Sequence, residues 1–281
     1  MKPSRTSRCG WVIAVLLIAL AACTSSGSDS FVVPTIADFD TLPTARFLTE
    51  NAPPPGFSSL QLDPIDTFLA DQPGWTYTVT GSFEGVLDAT GEGTEGSFEV
   101  QVQANELGQT RRVVLEAQGA AFLPENALLR LEGVRFSNDY YIVDINGLCT
   151  VDEGGTMGGS AIADLSAGQL IGGVQTAVPT GYRQEIEGLP AWQYTFTADA
   201  MRVPAVHQIA DSRVALEADL WVAPSVRAVV RYEVTATVRQ VYLLWADQES
   251  SGTVSGTLYL RYELNIPELG TLPNISVPHG C

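Results

Sequence analysis

Residues 227–238 read Arg227-Ala228-Val229-Val230-Arg231-Tyr232-Glu233-Val234-Thr235-Ala236-Thr237-Val238. Apolar and polar side chains alternate along this segment, and the same alternation recurs in Leu258-Tyr259-Leu260-Arg261-Tyr262-Glu263-Leu264. A period of two residues is typical of a β-strand that buries one face and exposes the other to water. Long strands of this kind predict an antiparallel sheet whose apolar side must be covered.

Similar strand-like segments occur on both sides of residues 227–238. Their approximate bounds are 75–83, 97–104, 110–117, 128–136, 140–145, 182–186, 192–196, 214–222, 240–245 and 254–264. Helical spacing is limited to short pieces. One follows Asp63-Pro64, with Asp63 as the predicted N-cap; another lies within 162–174, before or across Gly172-Gly173; a third follows Pro204. Because so few helices cannot cover a flat sheet, we expect a mainly β (α+β) fold. Its curved antiparallel sheet of about 11 strands, a half-barrel, would cover two or three short helices.

The N-terminus has the pattern of a bacterial export signal. Lys2, Arg5 and Arg8 precede the apolar run Trp11–Ala22, whose 12 residues are too few to span a bilayer. Leu20-Ala21-Ala22-Cys23 has the form of a lipobox, which predicts cleavage before Cys23 and attachment of a lipid anchor to it. The alternative is an ordinary secretory signal cleaved near Ala22, and both versions export the chain.

Composition divides the chain into three regions. Residues 1–22 are the predicted lipoprotein signal peptide, residues 23–56 a flexible Ser/Pro-rich tether, and residues 57–281 a single β-rich domain. The tether ends in Pro53-Pro54-Pro55-Gly56, which favours extended backbone. Phe31-Val32-Val33 offers an alternative, because these residues could dock onto the edge of the domain.

The chain is strongly acidic, with a formal net charge of −17. Three of its 15 basic residues lie in the predicted signal, so the remainder sets 12 arginines against 32 acidic residues. Such a surface repels phosphate backbones and anionic lipid headgroups, and we expect no nucleic-acid partner. Contact with a membrane is expected through the N-terminal lipid, either at the outer leaflet of the cell membrane or at an outer membrane.

Two cysteines remain once Cys9 leaves with the signal and Cys23 carries the lipid. Cys149 and Cys281 are an even pair in an oxidising compartment, which predicts a disulfide, although two free thiols are the alternative. Both cysteines lack the spacing of metal ligands relative to His207 and His279. We therefore expect neither a metal nor a cofactor.

Motifs that would indicate catalysis are missing or contradicted by their context. Gly91-Glu92-Gly93-Thr94-Glu95-Gly96 matches a dinucleotide-binding pattern, but it lies between two strands and places carboxylates where a pyrophosphate would sit, which favours a hairpin loop. Asp152-Glu153 lacks the spaced ligands of a calcium loop and is interpreted as a solvated loop. The sequence contains neither G-x-S-x-G nor H-E-x-x-H. We predict a protein that is not an enzyme, with a hydrolase around His207 or His279 as a remote alternative.

Strand parity selects two groups of side chains for the concave face of the sheet. Trp75, Tyr77 and Val79 alternate on one strand, as do Trp192, Tyr194 and Phe196 on another, and these six are the predicted lining of an apolar ligand cavity. The alternative is that they form solid core. In that case the protein would be a structural or interaction module on the cell surface.

The order of these motifs resembles a known family. The lipobox and tether are followed by Trp75-Thr76-Tyr77-Thr78-Val79-Thr80-Gly81, then Glu187-Gly188-Leu189-Pro190-Ala191-Trp192-Gln193-Tyr194-Thr195-Phe196, then Ala218-Asp219-Leu220-Trp221-Val222. Over residues 60–266 this resembles the LppX/LprG-type lipoproteins of the LolA-like superfamily.

The resemblance implies a half-barrel around helices, with a hydrophobic cavity that carries acyl chains of lipids or lipoproteins between membranes, and no catalytic residues. The Cys149/Cys281 pair, the Gly-rich loop and residues 267–281 depart from the pattern. The expected function is that of a membrane-anchored extracytoplasmic lipoprotein that binds or carries a hydrophobic ligand such as a lipid.

Overall fold

Antiparallel pairing organises the described part of the chain. The computed structural model describes residues 47–123, 127–155, 158–244, 252–265 and 272–281. Cys23, the signal and most of the tether lie outside these residues, so cleavage and lipidation stay predictions.

The strands are β1 (Leu60–Leu62), β2 (Gly74–Leu87), β3 (Gly93–Asn105), β4 (Thr110–Gln118), β5 (Leu128–Phe136), β6 (Asp139–Val143), β7 (Cys149–Glu153), β8 (Gly173–Ile186), β9 (Leu189–Thr195), β10 (Met201–Arg202), β11 (Val206–Ala223), β12 (Ala228–Leu243) and β13 (Val254–Asn265).

Helices are short and few among the described residues. Two α-helices, α1 (Gly159–Ala163) and α2 (Ala167–Leu170), precede β8, and 3-10 helices span Thr67–Asp71 and Ala198–Ala200. A further helical turn occupies residues 47–50. In the described residues, the helices are too short or too polar to cross a bilayer.

The described strands form one open sheet. Its order is β1-β8-β9-β11-β12-β13-β2-β3-β4-β5-β6-β7, with β10 attached to β8. The two end strands of this path do not pair with each other, which confirms the mainly β, curved antiparallel half-barrel. The sheet has 13 strands instead of about 11, because the sequence did not predict the short strands β1, β7 and β10, and because the segments predicted at 228–238 and 240–245 fall mainly in the single strand β12.

The structure corrects three sequence expectations about local structure, in whole or in part. The predicted helical turn after Pro204 is the start of β11, where Val206 pairs with Leu243 of β12. Of the two alternatives for residues 162–174, a short helix before Gly172-Gly173 is confirmed by α2, and a helix across these glycines is wrong, because β8 begins at Gly173. A short 3-10 helix does follow Asp63-Pro64, but Asp63 is not its N-cap residue and instead forms a salt bridge with Arg202 at 2.7 Å.

The acidic segment at Asp152-Glu153 also differs from the solvated loop expected there. Both residues belong to β7, and the Asp152 side chain is completely buried. Its carboxylate accepts a hydrogen bond of 2.7 Å from the backbone amide of Gly159, at the start of α1. The carboxylate therefore joins β7, at one end of the sheet, to α1.

The core lies on the inner face of the sheet. One row of directly paired residues crosses it from β11 to β4, and each member is at most 2% exposed: Leu220, Tyr232, Tyr262, Val79, Val100 and Leu115. Leu62, Ile65, Leu69 and Leu170 cover this face from β1, the segment around the first 3-10 helix and α2, and all four are buried. Burial on this scale is the main source of stability.

The outer face is polar and carries cross-strand ion pairs. Arg130 pairs with Glu116 at 2.8 Å, and Arg112 pairs with Glu132 at 2.9 Å. Such exposed pairs contribute little to stability, about 0 to 1 kcal/mol each. The alternation read from the sequence thus separates a buried face from a solvated one.

A disulfide joins Cys149 on β7 to Cys281, with the Cα atoms 5.4 Å apart, and confirms the predicted pairing. Residues 272–281 run along the outer face as a C-terminal strap. The side chain of Asn105 donates to the carbonyl of Pro273 at 3.2 Å, and Ile275 is buried. The strap and the sheet enclose a groove of about 370 Å³.

Candidate ligand-binding face

The three residues predicted on β2 do share the inner face. Trp75, Tyr77 and Val79 are 8%, 1% and 0% exposed and belong to the core. The Trp75 ring stacks on Tyr77, with centroids 5.2 Å apart, and Tyr77 contacts the ring of Tyr262 at the same distance. Sequence parity therefore placed these side chains on the correct face, where they are packed against other side chains.

The three residues predicted at β9 have a different role. Trp192 is half-buried, and its indole N–H donates to the carbonyl of Asn51 at 3.0 Å. Tyr194 is buried, and its hydroxyl donates to the carbonyl of Phe57 at 2.6 Å. Phe196 lies beyond the end of β9 and contacts Tyr232, with ring centroids 6.4 Å apart.

Trp192 and Tyr194 thus hold residues 51–57, most of which were assigned to the end of the tether. Strand parity could not reveal this role, because the partners are backbone carbonyls about 140 residues away. The predicted domain boundary at residue 57 was drawn from composition. The structure adds that residues just before it contact the sheet.

A polar network surrounds the β2 residues. The Arg111 guanidinium lies over the Trp75 ring, 5.1 Å from its centroid, and donates to the Leu165 carbonyl at 2.8 Å. The Tyr77 hydroxyl accepts from the Ala167 amide at 2.9 Å. Burial raises the pKa of Tyr77, so its hydroxyl stays protonated at neutral pH. The network fixes α2 over the inner face.

Two buried tyrosines were not among the predicted site residues. Tyr232 and Tyr262 are directly paired across β12 and β13, and both are completely buried. Their hydroxyls, like the indole N–H of Trp75, have no hydrogen-bond partner among the described residues. Burial raises the pKa of both phenols, so they are neutral donors. The sequence signal was available, since both lie on the apolar side of the alternating strands.

We expect Tyr262→Phe to raise the free energy of unfolding of the ligand-free protein by about 1 kcal/mol, because it removes a buried donor that lacks an acceptor. Urea unfolding measures the change. Tyr77→Phe is the matched control, since its hydroxyl is hydrogen-bonded, and it should lower stability by about 1 to 3 kcal/mol. Equal destabilisation by the two variants would contradict the assignment.

The inner face reaches solvent along part of β11. Of the residues of β11, only Leu220–Val222 pair with β9. Among the described strands, residues 206–219 of β11 therefore have β12 on one side and no strand on the other. Val214, Leu216 and Ala218 point to the inner face and are half-buried, whereas their β12 partners are buried. We call these three residues the apolar seam.

Grooves on the outer face involve other residues. Two adjoining grooves of about 650 and 390 Å³ share Ser82, Ser97, Gln118 and Tyr259. None of the six predicted cavity residues lines either groove. These grooves belong to the polar face and are separate from the apolar seam.

The two histidines and the acidic side chains could hold a metal ion only where several of them lie close together. The described residues contain no group of three or more His, Cys, Asp or Glu side chains placed to hold a metal ion. His207 lies exposed on β11, opposite Tyr242, and His279 is exposed in the strap. The two histidines therefore lie on separate parts of the surface.

The solved structures that match this chain include two bacterial proteins whose similarity to it is weak. A DUF1329 family protein from Desulfovibrio piger aligns over 73% of this chain and 92% of its own, with 8% identity and a TM-score of 0.20. A putative outer membrane lipoprotein-sorting protein domain from Vibrio parahaemolyticus aligns over 71% and 87%, with 8% identity and a TM-score of 0.22. No family model and no curated protein matches the chain. Similarity at this level assigns neither a family nor a ligand.

Proposed function

We propose that this chain is an extracytoplasmic, lipid-anchored binding protein that holds a hydrophobic ligand, such as a lipid, against the inner face of its sheet and catalyses no reaction. The signal pattern and lipobox support export and anchoring through Cys23. The acidic composition disfavours nucleic acids and other polyanions as ligands.

The observation that carries the proposal is the apolar seam. A row of aliphatic side chains stays only half-buried beside a fully buried core, on the part of β11 (residues 206–219) whose second edge pairs with no strand among the described residues. An acyl chain laid along this row would remove its apolar surface from water, which is favourable by about 25 cal/mol per Å².

Leu216→Asn tests the proposal. We expect the affinity of the purified, mature full-length chain for a fluorescent fatty-acid probe to fall by about tenfold or more, since burying a leucine contributes about 1.5 to 3 kcal/mol. Ala215→Asn is the matched control, because Ala215 lies exposed on the opposite face of the same strand. Native mass spectrometry, followed by solvent extraction, identifies any bound lipid.

A chain that takes up no probe and yields no extractable lipid would contradict ligand binding. It would favour the second candidate, a structural or interaction module on the cell surface with a solid core. One observation supports that candidate: Trp75, Tyr77, Val79 and Tyr194, four of the six predicted cavity residues, are buried within the core.

A further inference from the structure

An exposed apolar patch lies where the described chain begins. Phe47, Leu48 and Tyr182 are 39%, 42% and 62% exposed, and the rings of Phe47 and Tyr182 are in contact, with centroids 5.5 Å apart. We call these three residues the entry patch. Large apolar side chains that are exposed together, and not singly, indicate an interaction surface.

The backbone of β8 leaves room for Phe47 and Leu48, the two patch residues that come from the helical turn. The pairing of β8 with β9 is interrupted between Pro179 and Arg183, and Gly181 within this interruption has a φ of +86°. A Cβ atom at Gly181 would lie 2.9 Å from the Phe47 ring and 3.1 Å from the Leu48 side chain. A glycine at this position therefore allows the helical turn at residues 47–50 to rest on the strand.

Hydrogen bonds hold the same turn in place. The Asn51 side chain donates to the Phe47 carbonyl at 2.9 Å, and the Asn51 carbonyl accepts from Trp192 of β9. The turn that carries Phe47 and Leu48 is thus closed by Asn51 and joined through it to β9. Its side chains are exposed although the backbone beneath them is fixed, which distinguishes the patch from a loose chain end.

The position of the patch in the chain suggests what covers it. Only 23 residues, Thr24 to Arg46, separate it from the predicted lipid attachment site at Cys23. Such a segment spans at most about 80 Å when fully extended. An anchor at Cys23 would therefore keep the patch at high effective concentration near the bilayer surface, where even a weak contact is populated.

We propose that the entry patch is the surface with which the domain contacts the bilayer. The inference rests on the proposed lipid anchor. Tyrosine and phenylalanine side chains are suited to the membrane interface, since a tyrosine presents an apolar ring and a polar hydroxyl. The net charge of −17 opposes contact with anionic lipids, so the occupant is an uncharged or zwitterionic lipid surface. This contact orients β8 and β9 toward the membrane.

Site-specific fluorescence tests the proposal in the mature, full-length protein reconstituted in phosphatidylcholine vesicles. Leu48→Cys and Tyr182→Cys each supply a thiol for an environment-sensitive fluorophore. Leu107→Cys and Leu128→Cys are matched controls, because Leu107 and Leu128 are 74% and 61% exposed elsewhere on the domain. We expect a blue shift and quenching by nitroxide-labelled lipid at positions 48 and 182, and neither at 107 or 128.

Flotation with the vesicles separates the two proposals. If the protein floats but positions 48 and 182 behave like the controls, the anchor stands and the membrane contact of the patch is wrong. If the protein does not float, both are wrong. A blue shift at 48 and 182 that occurs without vesicles and grows with protein concentration would assign the patch to a second copy of the chain and overturn the lipid occupant.

Discussion

Cys281→Ser is expected to lower the free energy of unfolding by about 4 to 5 kcal/mol, because a crosslink between residues this far apart removes much of the conformational entropy of the unfolded chain. The disulfide joins residues separated by 132 positions. Its loss also frees the end of the C-terminal strap, which lies beside Arg112, Glu132 and Val143. Urea unfolding, followed by tryptophan fluorescence, measures the change.

The matched variants for this experiment replace the partner cysteine, alone or together with Cys281. Cys149→Ser and the double substitution should destabilise the protein as much as Cys281→Ser does, and reduction of the wild type should reproduce the effect. Hydrogen exchange should increase in residues 272–281 and in β6 and β7, which adjoin the bond. An unchanged unfolding midpoint in all three variants would show that the bond does not stabilise the fold.

Gly172→Ala is expected to lower the free energy of unfolding by about 4 kcal/mol or more, through a combination of backbone strain and overlap. Gly172 has a φ of +78°, where a side chain is unfavourable. A Cβ atom at this position would also overlap the carbonyl oxygen of Arg202. Because that oxygen belongs to the backbone, the substitution forces two chain segments apart.

A second glycine separates strain from overlap. Gly188 has a φ of +76°, close to that of Gly172, but a Cβ atom added there meets no other atom within 4 Å. Gly188→Ala therefore measures backbone strain alone, and it should lower the free energy of unfolding by only about 1 to 2 kcal/mol. An equal loss of unfolding free energy in both glycine variants would show that overlap with Arg202 does not contribute to the effect of Gly172→Ala.

The contact between Gly172 and Arg202 also affects the segments that cover the inner face of the sheet. Gly172 lies between α2 and β8, and its carbonyl accepts from the amide of Ile65 at 2.9 Å. The Arg202 side chain forms a salt bridge with Asp63, in the same covering segment. Separating these segments would therefore loosen the residues that lie over Tyr77 and Tyr262.

The sequence predicted the large strands well, because their burial alternates without interruption. The bounds of β5, Leu128–Phe136, were predicted correctly, and residues 228–238 lie within β12. The separate strand predicted at 240–245 falls partly in β12, because the strand continues past an irregularity at Gln240, whose φ is +54°. A local kink of this kind looks like a strand end in a one-dimensional pattern.

Contacts between distant segments explain what the sequence could not predict. The start of β11, from Val206 to Ala210, carries apolar residues at helical spacing, but pairing with β12 extends it as a strand. Asp152 looked like a surface residue because it adjoins glycines, whereas α1 supplies the amide that makes its burial possible. In both cases the deciding partner lies far away in the sequence or on another element.

The candidate site shows the same division. Parity identified the apolar face that contains Trp75, Tyr77 and Val79, since alternation is a local property. It could not identify the apolar seam, because the half-exposure of Leu216 depends on where β9 stops pairing with β11. It also could not show that Trp192 and Tyr194 bind the backbone of residues 51–57.

The position of β13 beside β2 also affects how the chain folds. Thr76 and Asn265 are hydrogen-bonded neighbours at 2.6 Å, although 189 positions separate them in the sequence. The middle of the sheet therefore cannot close until nearly the whole chain has been synthesised, and pairings of such long range form slowly. A slow final step leaves the emerging chain unfolded for longer, which is the state that the export signal predicted at its N-terminus would require for passage across a membrane.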